Sequence, residues 1–553
     1  MYKQDVKACL YIHKNFSLKG QGMKKKKHPN ILLLYSDQHN ARVLGCYGNN
    51  EVHTPNIDRL AAEGVRFENA YTQNPICTPS RMCIMSGQYP HNFGYYGLMG
   101  KKPGNLPHIF QYLKVFGYKT GMAGKIHTPS GWLSDYCDYV GDGYGYEEEV
   151  KPWNEKKLEG LQGMKGDDYS NDLYGKGLLA NRDDKFIHEW FEKHGYSKSQ
   201  GMDSRFSRLD KNETIEAWSA EKTNDFIEKC HLDEVPFCFW MTVPRPHSTY
   251  VPAKEFWDMY DENKLTLPPN SENKMEGRHP SAKRTQEGWQ KSNDWRIFKP
   301  DDWESARRRI MKGYYACVSQ VDDAVGRVLD KLDELGIREE TIIVYATDHG
   351  EFAGEHGMIE KAPGIGFRCV TRIPYIWSWK GHLKEGEIRD SLVESVDFLP
   401  TVCALAGIPA PDWVDGKDIC KVLDHNFDIR DIAVTENPYT KTVHSKKYKL
   451  TQYLPDMCEG KDFGELFDME KDPWELNNLY FMPEYQPILQ ELRLKLYCWT
   501  VRTTRNVTVN PSALDCEGNM VSWDLAEGVY SQDGKLSFKI AEDMIKSGKL
   551  NYL

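Results

Sequence analysis

The stretch "ILLLYSDQ", residues 31 to 38, decides the fold class. Ile31, Leu32, Leu33 and Leu34 follow one another without a polar break, so a strand formed here is apolar on both faces. Strands of that kind lie in parallel sheets covered by helices on either side. The run then stops abruptly at Asp37 and Gln38.

Runs of the same texture recur at "KTGMAG" (119–124), "PFCFWMTV" (236–243) and "TIIVYAT" (341–347), and helical patterns separate them. In "HTPNIDRLAAEG", Thr54 stands as N-cap, Pro55 at the first helical position and Gly64 as the stop. "LPHIFQYLKVFGY" sets Leu106, Ile109, Phe110, Leu113 and Phe116 on one face before Gly117. From 301 to 336, Ile310, Tyr314, Cys317, Val321, Val325, Val328 and Leu332 recur at helical spacing and Gly336 closes the pattern. The alternation predicts an α/β fold: a large, mostly parallel central sheet flanked by helices.

Two regions interrupt the rhythm, about 130–212 and 261–305, and read as insertions over the sheet, either solvated loops or a lid and substrate wall. Beyond about residue 425 the pieces shorten: "RDIAVTEN", "TVHSKKYKLTQYL" and "GELFDMEKDPWELNNLY" predict a smaller antiparallel sheet, followed by a helix near 485–500. The expected organisation is a polar leader (1–28), a catalytic α/β domain (29–425) and a C-terminal subdomain (426–553) ending in a tail from about 510.

A net charge of −10 over 553 residues argues against a nucleic-acid or membrane-surface partner, since both need a basic field. Any anionic ligand must be held by a local cluster of Lys, Arg and His. The 14 cysteines are scattered and form no zinc-type C-x-x-C pair, a usage that suits a reducing compartment. The N-terminus shows no apolar segment of about 7 to 15 residues, and no run of about 18 apolar residues occurs, so a cytoplasmic location is expected.

Ligands of open α/β sheets bind beyond the carboxyl ends of the strands. Asp37 and Gln38 follow the first run, Lys125 and His127 the second, Arg245 and His247 the third, Asp348 and His349 the fourth. A lone aspartate there is more often a turn former than a ligand. Four strands that all end in ionisable groups are a different matter. Asp37, Gln38 and Asp348 offer oxygen to a hard divalent cation and His349 adds nitrogen, while Arg81, Lys125, His127 and His247 supply positive field.

"CTPSRMCIMSG", residues 77 to 87, resembles the signature of the type I, formylglycine-dependent sulfatases of the alkaline phosphatase superfamily. Cys77, Pro79, Ser80, Arg81, Ser86 and Gly87 carry the match. "YGNNEVHTPNIDRLAAEGVRFENAY", "GKIH", "PHSTY", "TDHGEFAGEHGMIEK" and "ELFDMEKDPWELNNL" also resemble family segments, in family order from about residue 29 to 480. The resemblance implies that a sulfatase-maturating enzyme oxidises Cys77 to formylglycine (3-oxoalanine). It implies one divalent cation, calcium ahead of manganese or magnesium, held by Asp37, Gln38, Asp348, His349 and the modified Cys77. Arg81 would hold the formylglycine, and Lys125, His247 and Lys361 would bind sulfate oxygens. His247 would protonate the departing alcohol, and His127 would take the proton whose loss releases sulfate.

Many sulfatases have Asp-Asp in place of Asp37-Gln38 and Asn in place of His349. The Asp-Gln and Asp-His forms also occur in phosphonate monoester and phosphodiester hydrolases with the same modified cysteine, which makes that activity the alternative. A non-catalytic sulfate or sulfated-glycan binding protein with unmodified Cys77 is the reading from another class. A small sulfated mono- or oligosaccharide is the expected substrate, with Trp132, Tyr136, Tyr144, Tyr146 and Trp153 as aromatic faces for a pyranose ring.

Overall fold

The computed structural model describes residues 28–98, 106–143, 167–178, 181, 204–291, 302–361 and 366–504. Nearly all of the expected polar leader, and the tail after about 510, lie outside the described residues.

Eight strands form the main sheet: β1 (Asn30–Asp37), β2 (Val65–Tyr71), β3 (Lys119–Gly124), β4 (Tyr139–Asp142), β5 (Phe237–Pro246), β6 (Thr341–Thr347), β7 (Ile376–Ser378) and β8 (Glu387–Glu394). Their spatial order is β4-β3-β5-β1-β6-β7-β2-β8. Neighbours pair in parallel except around β7, which is antiparallel to both β6 and β2. β1 lies at the centre, with Leu33 opposite Trp240 on one side and Val344 on the other. β4 falls inside the region read as an insertion, yet "YVGD" extends the sheet beside β3. Four residues are too few for their alternation to stand out in the sequence.

The two-sided burial of the strands is literal. Leu32 and Leu34 of β1, Phe239 and Met241 of β5, and Ile343 and Tyr345 of β6 enter one core, beneath α1 (Pro55–Ala62), α4 (Ile215–Leu232) and α5 (Trp303–Glu334). Ile31, Leu33 and Tyr35, Trp240, and Ile342 and Val344 enter the other, beneath α2 (Cys77–Ser86), α3 (Ile109–Val115) and α6 (Phe398–Leu405). All seven residues of the α5 stripe predicted from spacing are buried, and Gly336 stands just past the helix at φ +68°.

Thr54 flanks α1 as expected, but its hydroxyl does not cap the first turn. It donates to Asp58 and accepts from Gly45 N–H. Asp322 of α5 caps the helix across space, accepting from the amides of Asn56 (3.0 Å) and Ile57 (2.7 Å). A tertiary carboxylate has displaced the local cap.

A second, antiparallel sheet of order β12-β11-β10-β9 comprises β9 (Ala433–Glu436), β10 (Thr440–His444), β11 (Tyr448–Tyr453) and β12 (Gly464–Asp468). α7 (Gln486–Thr503) covers it with Leu489 and Leu492. This sheet is bonded to the large one: Glu436 N–H donates to Gln73 O, and the Thr435 hydroxyl to Thr72 O, just upstream of Cys77. A buried ionic seam joins it to the segment after β6. Glu475 pairs with Lys449, accepts from Arg368 N–H (2.9 Å) and lies 4.0 Å from His356. Arg278 pairs with Glu465 at 2.6 Å. No described helix is long and apolar enough to cross a membrane.

Asp322→Ala leaves the buried Ile57 and half-buried Asn56 amide hydrogens without acceptors and lowers stability by about 2 kcal/mol. A denaturant midpoint equal to that of the wild type would assign the docking of α1 to apolar contacts alone. Glu475 gives a pH dependence. Burial opposes its charge, but Lys449 and Arg278 more than offset this and hold its carboxyl at about 2, against an ordinary value of 4.5. The unfolded chain therefore takes up a proton here that the folded chain refuses. The stabilisation is complete above about pH 4.5 and is lost as the pH falls towards 2. Glu475→Gln flattens that part of the pH–stability curve, and parallel curves for wild type and variant would remove Glu475 from the acid limb.

Candidate active site

Five strands deliver the site to one edge of the sheet. β1 ends in Asp37 and Gln38, β3 runs into Lys125 and His127, β5 into His247, and β6 into Asp348 and His349. β2 leads through residues 72–76 to Cys77, the first residue of α2. Two glycines permit the close approach of these segments. A Cβ on Gly124 would lie 1.9 Å from Thr242 O, and one on Gly350 would lie 1.9 Å from Cys369 O. Gln38 and His127 hold left-handed backbone, at φ +64° and +46°. Strain of this kind persists only where surrounding structure over-determines it.

Arg81 is the hub. Its guanidinium has no solvent exposure, and it donates from Nη2 to Asp37 Oδ2 (2.9 Å) and from Nε to Asp348 Oδ2 (3.0 Å). Its remaining nitrogen donates to Lys125 O (2.6 Å) and Thr242 Oγ1 (2.7 Å), so four of the five guanidinium hydrogens are engaged. Lys125 Nζ adds a second cation at 2.7 Å from Asp37 Oδ2. Burial alone would raise the Asp37 pKa, but Lys125 and Arg81 hold it well below the usual carboxylate range. Ser80 donates to Asp348 O at 2.6 Å and anchors α2 to the end of β6.

Four of the five predicted ligands converge. One donor atom from each of Asp37, Cys77, Asp348 and His349 falls within 4.8 Å of the others, and all four residues are buried. His349 Nδ1 donates to Gly350 O (2.9 Å), which leaves Nε2 as the acceptor, 3.2 Å from Cys77 Sγ. Burial keeps that imidazole neutral, as a ligand must be. Two carboxylates and one imidazole suit a hard divalent cation with some tolerance for nitrogen, so the clustered residues fit the expected ion, while the amide oxygen of Gln38, the fifth predicted ligand, accepts from Lys361. Burial, together with Asp37 and Asp348, pushes the Cys77 thiol up to about 12 against the pull of Lys361 and Lys125, so the bare cysteine is a poor nucleophile at neutral pH.

Lys361 and His247 meet on the far side of Gln38. Lys361 Nζ donates to Gln38 Oε1 (2.6 Å) and to His247 Nε2 (3.0 Å), while His247 Nδ1 donates to Ser248 O (2.7 Å). In this geometry His247 Nε2 accepts a proton and carries none. Burial, Lys361 and Lys125 depress its pKa well below the ordinary value. His127 is likewise neutral, lowered to about 2 by burial, Lys125 and Arg81.

The aromatic expectation is corrected in part. Trp132 is buried, with its indole N–H on Leu106 O (2.8 Å) and its ring edge-on to His108, so it packs the core and offers no face to a sugar. Tyr136 is exposed, and Tyr144, Tyr146 and Trp153 lie outside the described residues. Glu351 and Glu360, unassigned from the sequence although both stand in "TDHGEFAGEHGMIEK", contact Gln38 directly. Their spacing from Asp348 gave no sign of this, because the loop folds back at Ala353 and His356 through left-handed backbone.

A family model described as Sulfatase matches residues 29–408, and one described as N-sulphoglucosamine sulphohydrolase, C-terminal, matches residues 354–501. The N-acetylglucosamine-6-O-sulfatase of Bacteroides thetaiotaomicron is 26% identical over 528 residues, spanning 84% of this chain and 85% of that protein. A solved protein in complex with its substrate D-glucosamine-2-N,6-O-disulfate superposes with a TM-score of 0.67 at 23% identity, over 87% of this chain and 99% of the other. The phosphonate monoester hydrolase of Agrobacterium radiobacter gives the same TM-score of 0.67 at 18% identity, over 89% and 99%. Both superpositions speak for the fold alone. The family match spans most of the chain and includes all ten predicted site residues, and by it the chain belongs to the sulfatase family, hydrolases of sulfuric esters.

Proposed function

We propose that the chain removes sulfate from a small sulfated sugar, using a nucleophile made from Cys77 and one divalent cation, calcium first. The observation that carries this reading is the buried Asp37–Cys77–Asp348–His349 cluster with Arg81, Lys125, Lys361 and His247 around it. The sugar class rests on the similarity to an N-acetylglucosamine-6-O-sulfatase and on the likeness to a fold solved with a sulfated glucosamine. When present, the cation and a hydrated aldehyde at position 77 would supply a charged anchor for sulfate and an attacking oxygen that a thiol of such high pKa does not.

The chain's own groups account for the rest. Arg81 donates to Asp37, Asp348, Lys125 O and Thr242, so it orients the ligand carboxylates. Lys361 and Lys125 present ammonium groups to sulfate oxygens, where negative charge accumulates during sulfuryl transfer. His247 Nε2 must gain a proton before it can protonate a leaving alkoxide. Lys361 Nζ at 3.0 Å is positioned to relay one, and an anionic substrate raises the imidazole's affinity for it. His127, neutral and beside Lys125, is placed to accept a proton at the stage where sulfate departs.

The first test is peptide mass spectrometry across residues 67–81, on protein from a maturation-competent host. An aldehyde in place of the Cys77 thiol is expected, and Cys77→Ala loses turnover with its fold intact. A thiol in fully active protein would refute the nucleophile. Rates on a sulfated monosaccharide, an aryl sulfate, a phosphonate monoester and a phosphodiester then fix the substrate class, and a clear preference for the phosphonate would replace the sulfated-sugar reading. His247→Ala slows sulfated sugars roughly 100-fold or more while sparing activated aryl sulfates, whose leaving groups depart without a proton. Equal losses on both would move the acid role to another residue.

A further inference from the structure

Gln38 Nε2 has two hydrogens and two carboxylates waiting for them. It donates to Glu351 Oε2 in a short bond and to Glu360 Oε2 at 3.1 Å, and all three residues are buried. Its Oε1 accepts from Lys361 Nζ at 2.6 Å. Turning the amide over would set Oε1 against two carboxylates and Nε2 against an ammonium, so every contact would become repulsive. The carboxylates are themselves fixed. Glu351 Oε1 accepts from the backbone amides of Ala353 and Glu360, and its Oε2 also takes the Tyr250 hydroxyl at 3.4 Å. Glu360 Oε2 lies 3.8 Å from Lys361 Nζ.

We propose that Glu351 and Glu360 are positioning residues for Gln38. They seize both hydrogens of its amide nitrogen, turn its oxygen towards Lys361, and are the reason this position carries an amide in place of a carboxylate. A carboxylate at position 38 would bring four lone-pair sites and no hydrogen to a wall that already holds two carboxylates. The proposal rests on the reading of Gln38 as a cation ligand, and it explains the neutral residue in the donor set: the acidic groups at this corner stand behind the amide, at Glu351 and Glu360, where burial raises both carboxyls.

The test is an exchange of chemistry between positions 38 and 360, read on chelator-stripped protein. Gln38→Glu lowers Tm by about 3 °C or more, since three buried carboxyls then meet with no amide hydrogen between them and Lys361 as the neighbouring ammonium. Glu360→Gln lowers it less. In Q38E/E360Q the new amide at 360 donates to the new carboxylate at 38, so the double variant melts above the sum of the single shifts. Additive shifts, or a Q38E protein as stable as wild type, overturn the proposal. Should Q38E fail to fold, the exchange variant alone decides: a folded double variant supports the pairing and an unfolded one overturns it. Calcium titration is the second readout. Glu360→Gln weakens binding roughly tenfold and the exchange variant restores it. Coupled melting with the same calcium affinity in every variant would support the hydrogen-bonded pairing and overturn Gln38 as a ligand, which separates this inference from the functional reading beneath it.

Discussion

The buried ion triad of Arg81 with Asp37 and Asp348 is the constraint on which the site depends. Three fully buried charges are costly to desolvate, and removing one partner of such a group costs about 3–5 kcal/mol because the others are left without compensation. Its geometry does the organising. The guanidinium is planar and its donors diverge at fixed angles, so a single side chain from α2 sets the separation between the ends of β1 and β6. Since Arg81 stands one helical turn after Cys77, the same bond that spaces the carboxylates places the sulfur between them. Sheet, helix and ligand cluster are one mechanical unit.

Around that unit, charge is arranged in alternating shells. Asp37 and Asp348 face Arg81 and Lys125, while Lys361 faces Gln38 and His247, with Glu360 behind. Burial and neighbouring cations keep His127, His247 and His349 neutral, so the imidazoles begin as acceptors and only the lysines and Arg81 carry positive charge. The positive groups of the site are thus local, in a chain whose net charge is −10. The neutral amide at position 38 belongs to the same arrangement, because a further carboxylate would add negative charge beside Glu351 and Glu360.

The smaller sheet contributes rigidity at a distance. β9 bonds to residues 72 and 73, four to five positions before Cys77. Arg42, four residues past Gln38, pairs with Glu355 (2.6 Å), donates to Pro473 O (2.7 Å) and lies over the Trp474 ring. The loops that follow β1 and β6 are thereby clamped between two sheets. The Glu475 seam closes the clamp with paired charges that water does not reach.

The one-dimensional pattern carried much of this protein. Uninterrupted apolar runs marked β1, β5 and β6 because strands buried on both faces have no polar positions to show. The α5 stripe and its terminal glycine were legible because helical period and left-handed caps are local chemistry. Polar groups at strand ends pointed to Asp37, Gln38, Lys125, His127, His247, Asp348 and His349, since parallel strands must deliver their ends to one edge, whereas Cys77 and Lys361 were named by the resemblance to sulfatase segments. Other features were decided only by tertiary contact. Asp322 displaced Thr54 as the cap of α1, and Trp132 turned inward to Leu106 O. Glu351 and Glu360 became the wall behind Gln38, and Lys361 came to stand at His247. In each case the partners lie tens to hundreds of residues apart, and which hydrogen meets which lone pair is settled by packing in three dimensions, to which sequence spacing is blind.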